Sequence, residues 1–509
     1  MHRKRLAALL ILPLLLTGCS STQTQIMEQE ASVTLPPVSQ PYTAPVGDAS
    51  LNYTAQAELF LPSLSGDQLV AQQVELTLNH GQHPAETVLR ALFNFESNRR
   101  VQALGGDVRL QLAGVNPVEI SCGVATVTLA SSALQLSSPA FYTVCQGIAA
   151  TLAPYGVSRV NVLVSGQTVA MDLTASLPLG TLTAAREVPL STLWKQLDLR
   201  KPALNADVSQ AGLNANVTLF FPVADGTGIL AETRDVSFDG QTPAQLAQGL
   251  IDALSAGPQE LTAAAPMPDV SALLSQPPEV SVGTESNGRT VTLRFAEGLD
   301  ARLKEVGVDQ VSFLASLTYT LTTFIPYLTQ VTCVVGGETL TRAFTAENRL
   351  LTFPAGDLRR SDFAAYVMDV ATLYLVRDAR LTRVERSMPY YAARNPRALL
   401  LQLLDGPTAM ESAAGLRSLL PHYLGDADIL GFSVAGDTLL INLSATFITG
   451  SSGLAPAEER LMAYSIINTL CDATGCRRVR FYFGSAVWDT LCGGVWWNGD
   501  FMRNTALVE

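Results

Sequence analysis

Lysine is nearly absent from this chain of 509 residues: Lys4, Lys195, Lys201 and Lys304 are the four, and histidine is equally scarce. Charged residues make up 15% of the sequence against 48% hydrophobic ones, and acids outnumber bases to give a formal charge of −12. Without a basic face to neutralise phosphates, the chain is a poor match for nucleic acid, and for the same reason a poor electrostatic match for anionic membrane surfaces. No lysine follows a glycine, so a phosphate-binding GK[ST] loop is missing, and G-x-S-x-G, S-x-x-K and H-E-x-x-H are missing too. Long apolar runs are lacking beyond the N-terminus: the longest candidate, Ala364 to Val376, is interrupted by Asp369 and falls short of a membrane span. His80 and His83 have the spacing of a metal pair but no accompanying carboxylates, and His422 has no evident partner. Asp426 and Asp428 are too few oxygen donors for calcium, and Glu458 and Glu459 suit the positive end of the helix they open. The sequence therefore offers no catalytic, cofactor-binding or metal-binding residues.

What is present begins with an address. Arg3, Lys4 and Arg5 precede the apolar stretch Leu6–Leu16, the pattern of a secretory leader. Leu16-Thr17-Gly18-Cys19 follows and resembles the lipobox of bacterial lipoproteins, which implies cleavage after residue 18 and a diacylglycerol on Cys19. Loss of the three leader cations takes the formal charge to about −15. Residues 19–52, rich in Ser, Thr, Gln and Pro, read as a lipidated cysteine followed by a disordered tether.

Beyond the tether one pattern is written three times. A short apolar strand (Ala57–Pro62, Val217–Pro222, Ala371–Val376) is followed by a second (Leu69–Leu78, Leu230–Phe238, Leu381–Met388). A helix then opens on proline, at His83-Pro84, Thr242-Pro243 and Asn395-Pro396, where the missing N–H costs least. A glycine leads into an alternating strand at Gly123–Leu129, Gly288–Phe295 and Gly436–Leu443, one face of which is expected in a core. A second helix carries Ala150-Thr151-Leu152, Tyr319-Thr320-Leu321 and Asn468-Thr469-Leu470, and a last strand closes on Gly166, Gly336 and Gly484. From helix leucine to closing glycine is 14, 15 and 14 residues. A fainter echo follows each unit, at Pro178–Leu182, Pro354–Arg360 and Trp497–Arg503. The expected fold is α+β: three tandem small domains, each a mixed sheet with two helices, at residues 53–205, 206–360 and 361–509.

This order of elements resembles the GerMN domain of bacterial sporulation and germination lipoproteins. The third copy carries the likeness best, in Leu403-Leu404-Asp405-Gly406-Pro407, Ser465-Ile466-Ile467-Asn468-Thr469-Leu470 and Val479–Gly484. The second keeps Ala256-Gly257-Pro258 and Ser316–Leu321, while the first replaces Gly-Pro with Phe93-Asn94-Phe95. The resemblance implies a non-catalytic module on the outer face of the bacterial plasma membrane, held by lipid on Cys19, that contributes to assembly of spore or cell-envelope complexes through a protein partner.

Two groups of residues remain. Outside the cytoplasm disulfides are permitted, and Cys122 with Cys145 is the natural pair for one, although buried free thiols are the better account of the six cysteines after Cys19. Trp488, Trp496, Trp497 and Phe501 lie among glycines near the C-terminus and form a candidate binding surface, for protein or for the sugars of peptidoglycan; the alternative is an aromatic cap on the third domain.

Overall fold

The computed structural model describes residues 42–170, 177–186, 190, 207–282 and 288–509. The leader, Cys19 and the tether as far as residue 41 lie outside the described residues.

Each apolar strand pair folds as a long antiparallel hairpin: β2 (Asn52–Pro62) with β3 (Leu69–Asn79), β8 (Leu213–Pro222) with β9 (Ile229–Phe238), and β17 (Met368–Arg377) with β18 (Arg380–Pro389). Short β1 (Gly47–Ser50) precedes the first. After each hairpin comes the proline-initiated helix, namely α1 (Ala85–Phe93), α3 (Pro243–Ser255) and α7 (Pro396–Asp405). On α1 the buried positions Ala85, Val88, Leu89 and Leu92 recur at three and four residues, as an amphipathic helix requires. Removing each such leucine from water stabilises the fold by about 1.5–3 kcal/mol.

A mixed sheet follows in every unit. Its parallel centre is β5 (Val124–Leu129) with β6 (Arg159–Val164), β11 (Arg289–Phe295) with β12 (Leu328–Val335), and β20 (Thr438–Leu443) with β21 (Arg478–Phe483). The crossover helix between them is α2 (Ser138–Leu152), α6 (Gln310–Phe324) and α10 (Pro456–Thr474), which separates parallel neighbours as that connection demands. On one side an antiparallel edge strand precedes the glycine turn: β4 (Val118–Ser121), β10 (Leu274–Val282) and β19 (Ile429–Ala435). On the other, the faint echo proves to be a further strand: β7 (Leu182–Thr183), β16 (Asp357–Leu358) and β22 (Phe501–Met502). The registers agree, since Leu182 pairs with Val160, Leu358 with Val331 and Phe501 with Val479. The second unit adds the short strands β13 (Glu338–Thr339), β14 (Arg342–Phe344) and β15 (Leu350–Thr352). Minor helices are α4 (Val270–Leu273), α5 (Leu299–Glu305), α8 (Ala409–Ala413) and α9 (Thr446–Ser451).

The tether expected to run to Asn52 is corrected by the structure, because from Tyr42 onward the chain lies on the third unit. β1 pairs in parallel with the edge of β19, Gly47 opposite Gly431, so the third sheet runs β1-β19-β20-β21-β22. Tyr482 donates its hydroxyl to the Tyr42 carbonyl at 3.0 Å, Asn442 Nδ2 donates to the Pro45 carbonyl at 2.8 Å, and Arg397 pairs with Asp48 at 2.7 Å. Alternation in β20 sends Leu439, Ile441 and Leu443 into the helix-covered core, while Asn442, on the opposite face, meets this strap. The physical reason is that extended backbone satisfies its polar groups on an open sheet edge whatever its side chains are.

Candidate functional site

The polar residues of the repeated second helix hold the hairpin. Thr151, Thr320 and Thr469 accept the backbone N–H of Phe60, Phe220 and Tyr374 at 3.0, 3.0 and 3.1 Å. One turn earlier, Ser316 and Ser465 donate to the Phe220 and Tyr374 carbonyls, each at 2.5 Å. The first unit has Gly147 there, and a Cβ would stand 3.1 Å from the Phe60 carbonyl and 2.9 Å from Leu104. The residue before each threonine differs because it faces a different neighbour. Asn468 takes both backbone groups of Asn504, at 3.0 and 2.9 Å, whereas the Tyr319 hydroxyl donates to Glu119 of the first unit at 3.1 Å. Arg360 stacks 3.8 Å over the Tyr319 ring and pairs with Glu119 at 2.9 Å, tying the second unit to the first.

The helix ends spend further polar groups. Thr242 and Asn395 cap their helices through side-chain oxygens, and His83, which holds the matching place before Pro84, accepts the Ala85 N–H on Nδ1 at 3.2 Å. Its Nε2 donates to the Tyr155 carbonyl at 3.1 Å, so the neutral ring is fully used, and burial pushes its pKa down to about 4. His80 points elsewhere, donating Nδ1–H to the Thr474 carbonyl of the third unit at 2.6 Å while stacking on Tyr53 at 3.9 Å. At the opposite helix ends, Arg234 donates to the Gly257 carbonyl and Arg386 to that of Gly406, at 2.5 and 2.7 Å. Their partners Glu232 and Glu411 lie at 2.5 Å, making two largely buried ion pairs that sequence reading missed. The shared Gly-Pro was the available signal, since a chain stop there leaves a carbonyl needing a donor.

The three units meet around Val223, Leu230 and Met368, with Cys122 and Val370 against them. Beside this cluster Asp369 accepts the Cys122 N–H at 2.8 Å; burial raises its pKa. Between the first and third units lies a cavity of about 300 Å³ bordered by Tyr53, His80, Tyr155, Arg394, Asp472 and Thr474. Among the described residues no group of three His, Cys, Asp or Glu is placed to hold a metal ion. Asp426 pairs with Arg397 at 2.9 Å, and Asp428 accepts the Gly425 N–H and the Ser444 hydroxyl.

The pairing of Cys122 with Cys145 is overturned: both are free thiols, Cys122 at the junction of units and Cys145 inside the first core. Their side chains belong to separate apolar clusters, which the spacing in sequence does not reveal. Burial pushes the thiols of Cys122, Cys333 and Cys471 up to about 12 and that of Cys145 higher still, so thiolate chemistry is disfavoured. Cys19 lies outside the described residues.

The candidate aromatic surface divides. Trp497 is fully buried, 5.0 Å from Phe481 and 5.4 Å from Phe483, and Phe501 is buried beside it, so these two belong to the cap and not to a surface. Trp488 and Trp496 remain 42% and 53% exposed. The division is set by Glu459, which is fully buried. It accepts the Cys492 N–H at 3.1 Å, the Gly494 N–H at 2.6 Å and the Trp497 indole N–H at 2.7 Å. Glu458, by contrast, does serve its helix start, accepting the Ala455 N–H at 3.3 Å.

The sequence profile of the Germane family, described as sporulation and spore germination, matches residues 218–341 and 372–485. No curated protein matches the chain. Among solved structures, the tandem GerMN domains of the sporulation protein GerM from Bacillus subtilis are similar at 18% identity, covering 61% of this chain and 98% of that one with a TM-score of 0.22. The first GerMN domain of the same protein is similar at 18% identity over 26% of this chain and 97% of its own, with a TM-score of 0.21. The chain is a GerMN-type protein, and its residues 218–341 and 372–485 match the Germane family, described as sporulation and spore germination.

Proposed function

We propose that this protein is a non-catalytic envelope lipoprotein, held at the outer face of the plasma membrane by lipid on Cys19. Its units act as a scaffold for an envelope protein during sporulation, germination or cell-envelope assembly. The observation that carries this reading is where the repeated polar groups go. Thr320 and Thr469, Ser316 and Ser465, and the capping His83 are all bonded to backbone, leaving none of them turned toward a substrate. A site for chemistry instead leaves polar groups converging on open space.

Metabolic labelling with palmitate, in cells making the native chain or Cys19→Ala, tests the anchor; crosslinking followed by purification from solubilised envelopes tests the scaffold. Label on the native chain alone, with one envelope protein recovered in constant proportion, is expected. Equal labelling of both chains overturns the anchor, and recovery of no specific protein overturns the scaffold.

A further inference from the structure

We propose that the third unit is the membrane-proximal end of the protein, and that its exposed Trp488 and Trp496, with Val487 and Met502, rest on the lipid bilayer to which the chain is anchored. The inference rests on the anchor at Cys19 proposed above and adds to it a face and an orientation.

Three observations carry it. The first is the position of Tyr42. Tyr42, 23 residues after Cys19, sits on the outer face of the third sheet, bonded to Tyr482 and lying 5.5 Å from the Arg480 guanidinium. Twenty-three residues span at most about 80 Å, and they begin at the third unit, although that unit is last in sequence.

The second is the position of the indoles. The loop that bears them leaves the same strand, β21, directly after Phe483, and returns to it as β22. Asn442, which holds the strap through the Pro45 carbonyl, also holds Ser485 at the start of that loop, at 3.1 Å through Nδ2 and 3.0 Å through Oδ1. One residue, Asn442, therefore holds both the strap and the start of the tryptophan-bearing loop.

The third is that the exposure is built in. Glu459 fixes the loop at Cys492, Gly494 and Trp497, and Asp489 accepts from Trp497 N and Asn498 Nδ2 at 2.9 and 3.1 Å. With the loop pinned in this way, Val487, Trp488, Trp496 and Met502 are still 43, 42, 53 and 48% exposed. Tryptophan with one wet edge is the side chain suited to a headgroup boundary. Charge permits the contact. The chain as a whole carries −12, but beside the loop Arg478 meets Asp437 and Asp500, Arg480 meets Asp500 and Arg503 meets Asp472, so cations and anions are matched. Of the surfaces of an acidic protein, a balanced one is least repelled by anionic lipid.

The test uses the full lipidated chain in vesicles of phosphatidylcholine and phosphatidylglycerol with brominated acyl chains. Flotation reads the anchor, and quenching of tryptophan emission reads the contact. Native protein is expected to float and to be quenched. The variant W488F/W496F, altered only at exposed positions, is expected to float equally, to keep its melting temperature and to lose most of the quenchable emission. A native chain that stays soluble overturns the anchor and this inference together. A chain that floats with quenching unchanged in the variant overturns this inference alone. So does sedimentation with purified peptidoglycan that the native chain shows and the variant loses, because it assigns the two indoles to sugar.

Discussion

Thr320 accepts the backbone N–H of Phe220 at 3.0 Å, joining residues 100 positions apart, and Ser316 donates to the carbonyl of that same residue. Helix and hairpin are thereby locked through a backbone unit that lies in a core and has no access to water. Thr320→Val keeps the shape of the side chain and removes the acceptor. We expect a loss of about 1–3 kcal/mol, the cost of leaving one buried donor unpaired. Hydrogen exchange at the Phe220 amide is the direct measurement and should accelerate. Thr227→Val, at an exposed turn where the hydroxyl meets only Asp225, serves as the control. Equal effects from both substitutions would falsify the clasp.

The strap on the third unit depends on a glycine for close approach. A Cβ at Gly431 would come within 2.4 Å of the Gly47 carbonyl oxygen and 2.6 Å of its nitrogen, both backbone atoms that cannot swing aside. Gly431→Ala should therefore lift residues 47–50 from the sheet edge and expose the segment to protease, while the hairpins keep their protection. Gly425→Ala, where a Cβ meets nothing within 4 Å, should leave the strap in place. Cleavage at the same rate in both variants would remove the basis for a docked strap.

These two relationships differ in how much of them the sequence carries. The clasp was visible as Ser-x-x-x-Thr-Leu at fixed distance from a closing glycine, because a side chain must be of one type to reach one backbone group. Alternation likewise exposed the central strands, and even the faint Gly-x-Leu or Gly-x-Phe echo proves to be a paired strand. The strap carried no such mark. Its pairing is backbone to backbone, and its side-chain partners Arg397, Asn442 and Tyr482 are 349, 397 and 440 positions away. Strand β10 hid for a related reason, since an exposed edge strand tolerates Pro277 and Pro278 and shows no apolar period. The fates of Cys122 and Trp497 were set by long-range packing, at the junction of units and at Glu459, and composition near them says nothing of either.

Acid should loosen the first unit before the others. His83 caps its helix by accepting on Nδ1, a role only the neutral ring can fill, and its pKa in the fold is about 4 against 6.5 for an open histidine. The folded value is the lower one, so between the two the unfolded chain binds more protons. Stability is intact above about pH 6.5 and falls toward pH 4, by up to about 3 kcal/mol over that window. Asp369, whose pKa burial raises, opposes this trend at the lower end, because its protonation favours the fold. His83→Asn, which restores the cap found at Asn395, should flatten the dependence of melting temperature on pH between 6.5 and 4. A slope identical to that of the native chain would show that the titrating group lies elsewhere.

The C-terminal loop should respond to the loss of a single charge. Glu459 offers two carboxylate oxygens to three donors, Oε1 to Cys492 N and Trp497 Nε1 and Oε2 to Gly494 N. In Glu459→Gln the amide oxygen can serve one side only, and the NH2 group then faces a backbone N–H or the indole N–H, a donor set against a donor. Size is unchanged, so the expected loss of about 3 kcal/mol reflects the buried donors left unpaired and not a cavity. The loop should detach at Cys492, whose thiol now donates to the Ser451 carbonyl at 3.1 Å, and alkylation of that cysteine under native conditions should accelerate. Trp497 emission should move to longer wavelength as its ring leaves Phe481 and Phe483. Glu458→Gln, one residue earlier, where the carboxylate caps the helix and pairs with Arg417 away from the loop, should change neither measurement. If the two variants label alike, the loop is held by its aromatic packing alone and the carboxylate is not its anchor.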